Sequence, residues 1–455
     1  MLFIKKFSVC VFVCFCLAEN GVWVARAGEW VLYEEDFHTY LPKSDWEGIQ
    51  EVKKKESLFF GFLKKQAAVK ESLALGLNYN FDVTKKITAR KNMLLVNEYY
   101  MRHFLGSVIP PSSLSFCKNN LKKEVFVKHI LIKPVSGEEK SGALIKEIKN
   151  SLLGGESFES LAKQNSQDPS VSGNGGSLGW ISLGQTVPEF QDVVFSLCVG
   201  CVGVAETAFG FHVIQVDSLR PSKYVNLSVE EQNDFAFRFS SAYIKEDLKV
   251  LAGEHDSLLI KNSGVSFNHK ALSSLVEKLK QKKKEASLSK KDFDPFVVLK
   301  NHSKALVLYQ GEVLSGAWFV NKLDLSLKSN ILFGSVGELK KEFLTVLLRD
   351  IALHRSEVLG LNKNYSFVSQ FSAIKQAVLE KAFLTFLVES VPMPTKNEVV
   401  SFFNSTDQKG RSLDVAYKSI ELILLKENQE KAKTVFFDSV LSGEKFDINK
   451  GWLYD

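Results

Sequence analysis

The stretch Val125-Phe126-Val127-Lys128-His129-Ile130-Leu131-Ile132 decides the fold of the middle of the chain. It is rich in β-branched and aromatic residues and alternates across 126–132, so it reads as a strand. Downstream, 138–153 carries Leu144, Ile148 and Leu152 on one helical face, and 158–164 reads as a second helix. The run Ser172-Gly173-Asn174-Gly175-Gly176-Ser177-Leu178-Gly179-Trp180 demands a tight loop shaped by its glycines. Pro188 suits the first position of a helix that carries Phe190, Val194 and Leu197. Residues 202–206 and 211–217 read as two more strands, joined by a turn at Gly210. Strands and helices therefore share one compact α+β unit.

Outward from that unit, the chain has 455 residues, enough for about three domains. With 45% hydrophobic and 24% charged residues it is globular in composition and not disordered. A net charge of +6, with the lysines dispersed, implies no nucleic-acid partner. Lys5 and Lys6 precede an apolar run over 7–17 that is shorter than the roughly 20 residues a spanning helix needs. The N-terminus thus reads as an export signal, with small-x-small sites at Cys16-Leu17-Ala18 and Ala25-Arg26-Ala27. The second site sets the expected boundary, 1–27; an uncleaved membrane anchor is the alternative. Cys117, Cys198 and Cys201 lie beyond that signal, too few for a disulfide framework, so the core must hold the fold. Cys198-Val199-Gly200-Cys201 fits either a short disulfide or thiol exchange. One such pair does not make a structural zinc site, and no metal is expected.

The flanks read as helical. In 28–122, a helix over 53–75 ends at Leu75-Gly76-Leu77-Asn78, and a second comes over 83–104. The order recurs in 296–455. Val307-Leu308-Tyr309 echoes Val31-Leu32-Tyr33, and a helix ending at Leu359-Gly360-Leu361-Asn362 precedes another long helix. Ile423-Leu424-Leu425-Lys426 and Leu441-Ser442-Gly443-Glu444 echo the start of the central unit, which suggests a second, truncated copy of it at the end of the chain. Between the copies, 221–295 reads as a helical linker with a solvated lysine face at 278–284.

The ordered motifs of 123–220 resemble the parvulin family of peptidyl-prolyl cis/trans isomerases. The helical flanks resemble the chaperone segments of SurA-like periplasmic foldases. The resemblance implies a four-stranded antiparallel sheet with surrounding helices, flanked by mostly α-helical chaperone segments. It also implies an exported isomerase and chaperone, periplasmic or otherwise extracytoplasmic, that assists secreted or outer-membrane proteins. Its partners would be unfolded or proline-containing polypeptides, with no cofactor and no stable membrane insertion once the signal is removed.

Residue by residue, the resemblance makes His129 and His212 the paired histidines at the floor of the site. Asp168 stands where parvulins carry Asp or Cys beside the twisting carbonyl, and Thr207 where a threonine bonds the histidine pair. Leu178 and Phe190 match the apolar wall around proline, and Phe209 a pocket aromatic. Thr186 departs from the pattern, because the family usually has a proline-packing methionine there. The loop 133–138 has one lysine and no arginine, against a phosphoserine requirement. Plainer roles stand beside these: His129 and His212 orient one another in any such core, and Asp168 before Pro169 is a turn former. A holdase with a weak or inactive isomerase domain is the alternative function, and a thiol-disulfide enzyme a third.

Overall fold

The computed structural model describes residues 21–41, 43–134, 138–323, 333–406, 412–442 and 446–454. In chain order its strands are β1 (Trp23–Ala27), β2 (Trp30–Tyr33), β3 (Lys123–Ile132), β4 (Ser177–Ser182), β5 (Val202–Thr207), β6 (Gly210–Pro221), β7 (Ser266–Phe267), β8 (Val307–Tyr309), β9 (Glu312–Leu314) and β10 (Asp447–Ile448). The chain divides into two compact units, 1–91 with 369–455, and 92–368. The fold class is α+β.

In the unit 92–368, the central strands form an antiparallel sheet in the order β4-β3-β6-β5. β3 and β6 are the long inner strands, and β3 buries side chains on both sheet faces. Val125 and Val127 join Ile181, Phe190, Val194, Ile214 and Val216 in one core. Ile130 and Ile132 join Ile148, Phe158, Leu161 and Val213 in the other, against the Glu138–Leu153 and Phe158–Asn165 helices. His129 stands opposite Ile214 and Leu131 opposite His212, so the two histidines are diagonal neighbours across the β3–β6 ladder.

The expected linker 221–295 is not one. β6 runs to Pro221, and the Val229–Ser240 helix places Ala236, with Phe235 and Phe239 beside it, in the core of the isomerase-like unit. Further on, Leu259, Leu272, Leu275, Val276 and Leu279 are buried with Leu306, Val307, Leu314, Phe319, Phe343 and Leu347. Apolar residues on one face of each helix draw the segment into two cores, where a linker would leave them in water.

The other unit, 1–91 with 369–455, has a sheet in the order β10-β1-β2 over a core of Val24, Ala25, Leu32, Phe37, Phe59, Phe62, Leu63, Val440 and Leu453. Its β1 runs up to the expected signal boundary at residue 27, with Val24 and Ala25 fully buried inside a paired strand. Residues 1–20, with the first small-x-small site, lie outside the described residues.

The repeat exists, in a different register. Each copy is a hairpin, a seven-residue helix with a buried phenylalanine (Phe37 in Glu34–Tyr40, Phe319 in Gly316–Lys322) and a 23-residue helix (Val52–Ala74, Val336–Val358). A left-handed glycine comes next (Gly76, φ 68°; Gly360, φ 67°), then a three-residue 3-10 turn. Val31–Tyr33 lies in the second hairpin strand and Val307–Tyr309 in the first, so the true counterpart of β2 is β9. Among the described residues, the expected isomerase-like fragment at the end of the chain does not form. Ile423–Lys426 lies inside one 29-residue helix, Leu413–Leu441, and residues 443–445 lie outside the described residues.

Candidate active site

β3, β6 and the turns around them bring four polar side chains into one hydrogen-bonded line. His129 and His212 are 5% and 6% exposed, so both rings need partners inside the protein. His129 Nδ1 lies 3.1 Å from His212 Nδ1, and His129 Nε2 lies 3.1 Å from Asp168 Oδ2. Thr207 Oγ1, at the end of β5, lies 2.9 Å from His212 Nε2. Phe190 closes the line from above, edge-on to both imidazoles at centroid distances of 6.0 and 5.2 Å.

The protonation states are set by this geometry. Asp168 is held ionised below the usual carboxylate range, first by the Ser170 hydroxyl and then by the Ser170 backbone N–H and His129. A carboxylate only accepts, so His129 must donate from Nε2, which leaves Nδ1 as a lone pair. His212 then donates from Nδ1 and accepts at Nε2 from the Thr207 hydroxyl. Thr207 in turn accepts the Phe209 backbone N–H at 3.1 Å. Every donor points toward Asp168, and both tautomers are fixed. Burial lowers the pKa of both rings, His212 to about 4, with Asp168 opposing the shift and, for His212, the neighbouring His129 adding to it. At neutral pH both imidazoles are therefore uncharged.

The apolar side chains assigned to the pocket are less tightly gathered. Phe190 is buried against the histidines, whereas Leu178 on β4 is 36% exposed and Phe209, in the β5–β6 turn, 64% exposed. Thr186 sits in the loop before the Pro188–Val194 helix, half-buried, and its Oγ1 is enclosed without a hydrogen-bond partner among the described residues. Three supporting groups escape the sequence reading. Ser170 clamps Asp168 through its backbone N–H at 2.7 Å and its hydroxyl at 2.5 Å. This is an Asx turn, so Asp168 is at once turn former and site residue. Gly176 accepts the His129 N–H at 2.8 Å, and a Cβ there would stand 2.8 Å from the His129 carbonyl oxygen. Ser166 Oγ accepts the Leu131 N–H at 3.1 Å and so fixes the 166–168 strip against β3. The Asp-Pro-Ser spacing was the available signal for Ser170.

Cys198 and Cys201 are joined in a disulfide just ahead of β5. Among the described residues, no group of three or more His, Cys, Asp or Glu gathers to hold a metal ion, and no helix is long and apolar enough to cross a membrane.

Residues 114–220 match the family described as the PPIC-type PPIASE domain. The chain is 35% identical over 160 residues to the foldase protein PrsA of Geobacillus kaustophilus, covering 35% of this chain and 52% of that one. It is 37% identical over 115 residues to the chaperone SurA of Pseudomonas syringae pv. tomato, covering 25% of this chain and 27% of that one. The chain thus spans about half the length of the first relative and about a quarter of the second. A solved PpiC-type peptidyl-prolyl cis-trans isomerase domain is 26% identical, with 22% of this chain and 95% of that one covered and a TM-score of 0.21. Residues 114–220, with their sheet and their line of paired histidines, are a parvulin-type peptidyl-prolyl isomerase domain, carried in a chain that resembles the PrsA and SurA foldase chaperones.

Proposed function

We propose that the protein is an exported foldase that isomerises X–Pro bonds in unfolded polypeptides. The line Asp168–His129–His212–Thr207 beneath Phe190 carries this reading. Rotation about an X–Pro bond faces a barrier of about 18–20 kcal/mol and takes tens to hundreds of seconds unaided. No bond breaks, so the catalyst must bind the twisted amide better than the planar one. Phe190, Leu178 and Phe209 supply apolar surface for the proline ring. Asp168 supplies discrimination. Resonance makes the carbonyl oxygen most negative in the planar amide, and a carboxylate beside it repels that state more than the twisted one. The histidines transfer no proton. Neutral and locked in one tautomer each, they hold the Asp168 carboxylate and the floor in place.

Proline-isomer-coupled cleavage of a tetrapeptide tests this. His129→Ala and Asp168→Ala should each lower kcat/KM about tenfold or more, equivalent to at least about 1.4 kcal/mol in the barrier. A wild-type rate no greater than buffer would end the isomerase reading. The alternative, a holdase with a weak isomerase domain, draws on the lone Thr186 hydroxyl where methionine is usual. It requires Asp168→Ala to suppress client aggregation as well as wild type, and Thr186→Met to raise isomerase activity.

We infer signal cleavage after Ala18, since cutting after Ala27 would remove β1 and its buried Val24 and Ala25. N-terminal sequencing of the mature protein should begin at Glu19; a start at Gly28 would contradict it.

A further inference from the structure

We infer that the Val229–Ser240 helix and the turn after it, outside the matched domain, position the proline pocket, with Phe239 and Tyr243 as positioning residues; this rests on the isomerase reading above. The loop that carries Thr186 begins at Gly184, whose φ is +88°. Phe239 fills the space beside it: a Cβ at Gly184 would stand 2.5 Å from the Phe239 ring. The Gly184 N–H donates to Gln191 Oε1, and Gln191 is 1% exposed. Loop and Pro188–Val194 helix therefore move as one wall, and that wall holds Phe190 edge-on to the histidines. Tyr243 fastens the outer side of the same helix, donating its hydroxyl to Asp192 Oδ1 at 2.8 Å.

The bracing helix is itself tied on its opposite side. Asp234, 8% exposed, pairs with Arg102 and, at 2.8 Å, with Arg238. Arg238 donates to Ser366 Oγ at 2.8 Å, Ser366 donates to Glu98 Oε1 at 3.1 Å, and Glu98 Oε2 receives Arg102 at 3.5 Å. The ring closes on itself. Its two carboxylates, Glu98 and Asp234, are buried, so losing their arginine partners would strand an unpaired charge in each case. Without Phe239, Gly184 would be free to take other backbone states, since it has no Cβ to restrict it. The wall would loosen while the Asp168–His129–His212 line stayed intact. Affinity for the proline peptide should fall and turnover should not.

The test uses the full chain and reads two quantities, the KM and kcat of tetrapeptide isomerisation and the Kd of a fluorescent proline tetrapeptide. Phe239→Ala should raise KM and Kd about threefold or more, with kcat within about twofold, and Phe239→Leu should restore most of the affinity. Leu272→Ala, which opens the separate core around Phe319 and Phe343, controls for general destabilisation and should leave KM unchanged. Equal shifts in Leu272→Ala and Phe239→Ala, or no shift in Phe239→Ala, would overturn the inference. If Phe239→Ala does not fold, Tyr243→Phe decides: it keeps the ring, loses the hydroxyl's bonds to Asp192 and Gln191 in the Pro188–Val194 helix, and must still raise Kd. A wild type that binds the peptide without isomerising it would fell the isomerase reading while Kd still judged the brace. A wild type that does neither would fell both.

Discussion

The two copies of the three-stranded frame close their sheets in opposite ways. In the unit 92–368, the third strand β7 comes from nearby: Ser266 and Phe267 pair with Leu308 and Val307. In the other unit the same place is filled by β10, with Asp447 and Ile448 against Arg26 and Ala25. The details match one for one. The Asn268 N–H donates to Leu306 O and the Asn449 N–H to Val24 O, at 2.9 and 3.0 Å. Each asparagine caps the next turn, accepting from Ala271 N at 3.0 Å and from Trp452 N at 3.2 Å. The two copies differ in the side chain of that capped residue. Where the local copy has Ala271, the distant one has Trp452, stacked on Trp46 at 5.4 Å and edge-on to Phe37 at 5.2 Å. In the local copy the phenylalanine in Phe37's place, Phe319, stacks directly on Phe343 at 4.3 Å. Closing a long loop costs more entropy than closing a short one, and the tryptophan adds apolar burial where the loop is longest.

Symmetric truncation tests the equivalence. Leu453 and Leu272 hold the same position and are 1% and 0% exposed. Leu453→Ala and Leu272→Ala should each cost about 2–5 kcal/mol. Hydrogen exchange should show the loss at 23–33 in the first variant and at 306–314 in the second; the reverse pattern would break the comparison.

Acid should part the units next. His129, His212 and His302 all lie in 92–368, and burial, the first cause in each, lowers the pKa of all three. Unfolded imidazoles take their protons near pH 6.5. The stabilisation from keeping these rings neutral is therefore full above about pH 6.5. It falls as pH drops, by up to about 1.4 kcal/mol per pH unit for each ring, and the His212 share is gone below about pH 4. Exchange protection in 92–368 should decline across that window before protection at 23–33 does; simultaneous loss would count against it.

The smallest effect is expected at Arg26. Its pair with Asp447, 54% and 56% exposed, has no counterpart at Leu308 and Ser266. Arg26→Ala should cost no more than about 1 kcal/mol, and 1 M salt should erase the difference in Tm.

The domain at 114–220 is legible because its signals are long or chemically distinctive: a ten-residue β3, a glycine cluster, and Asp168, Thr207 and His212 in fixed order. The frame is legible only where helices end in glycine. β7 and β10 are two residues each, too short for alternation to register, and β10 pairs across almost the whole chain. The traceable signal is the repeated apolar-Asn-x-x-x-Leu, in Phe267-Asn268 to Leu272 and Ile448-Asn449 to Leu453. The false echo at Ile423–Lys426 arises because an apolar run of four looks alike in a strand and a helix; only the unbroken pattern around it decides. The polar members of the inner line can be named from the chain alone, but its direction needs Ser170, which fixes Asp168 as the terminal acceptor.

The β1–β10 pairing also has a consequence in time. A chain made from its N-terminus finishes the β1–β2 hairpin early, yet Arg26 and Asp447 are 421 positions apart. At about 5–20 residues per second, the open edge of β1 waits about 20–80 s for its partner. An unpaired edge is a template for other strands. For that interval a chain built like a folding helper is itself the unfinished client.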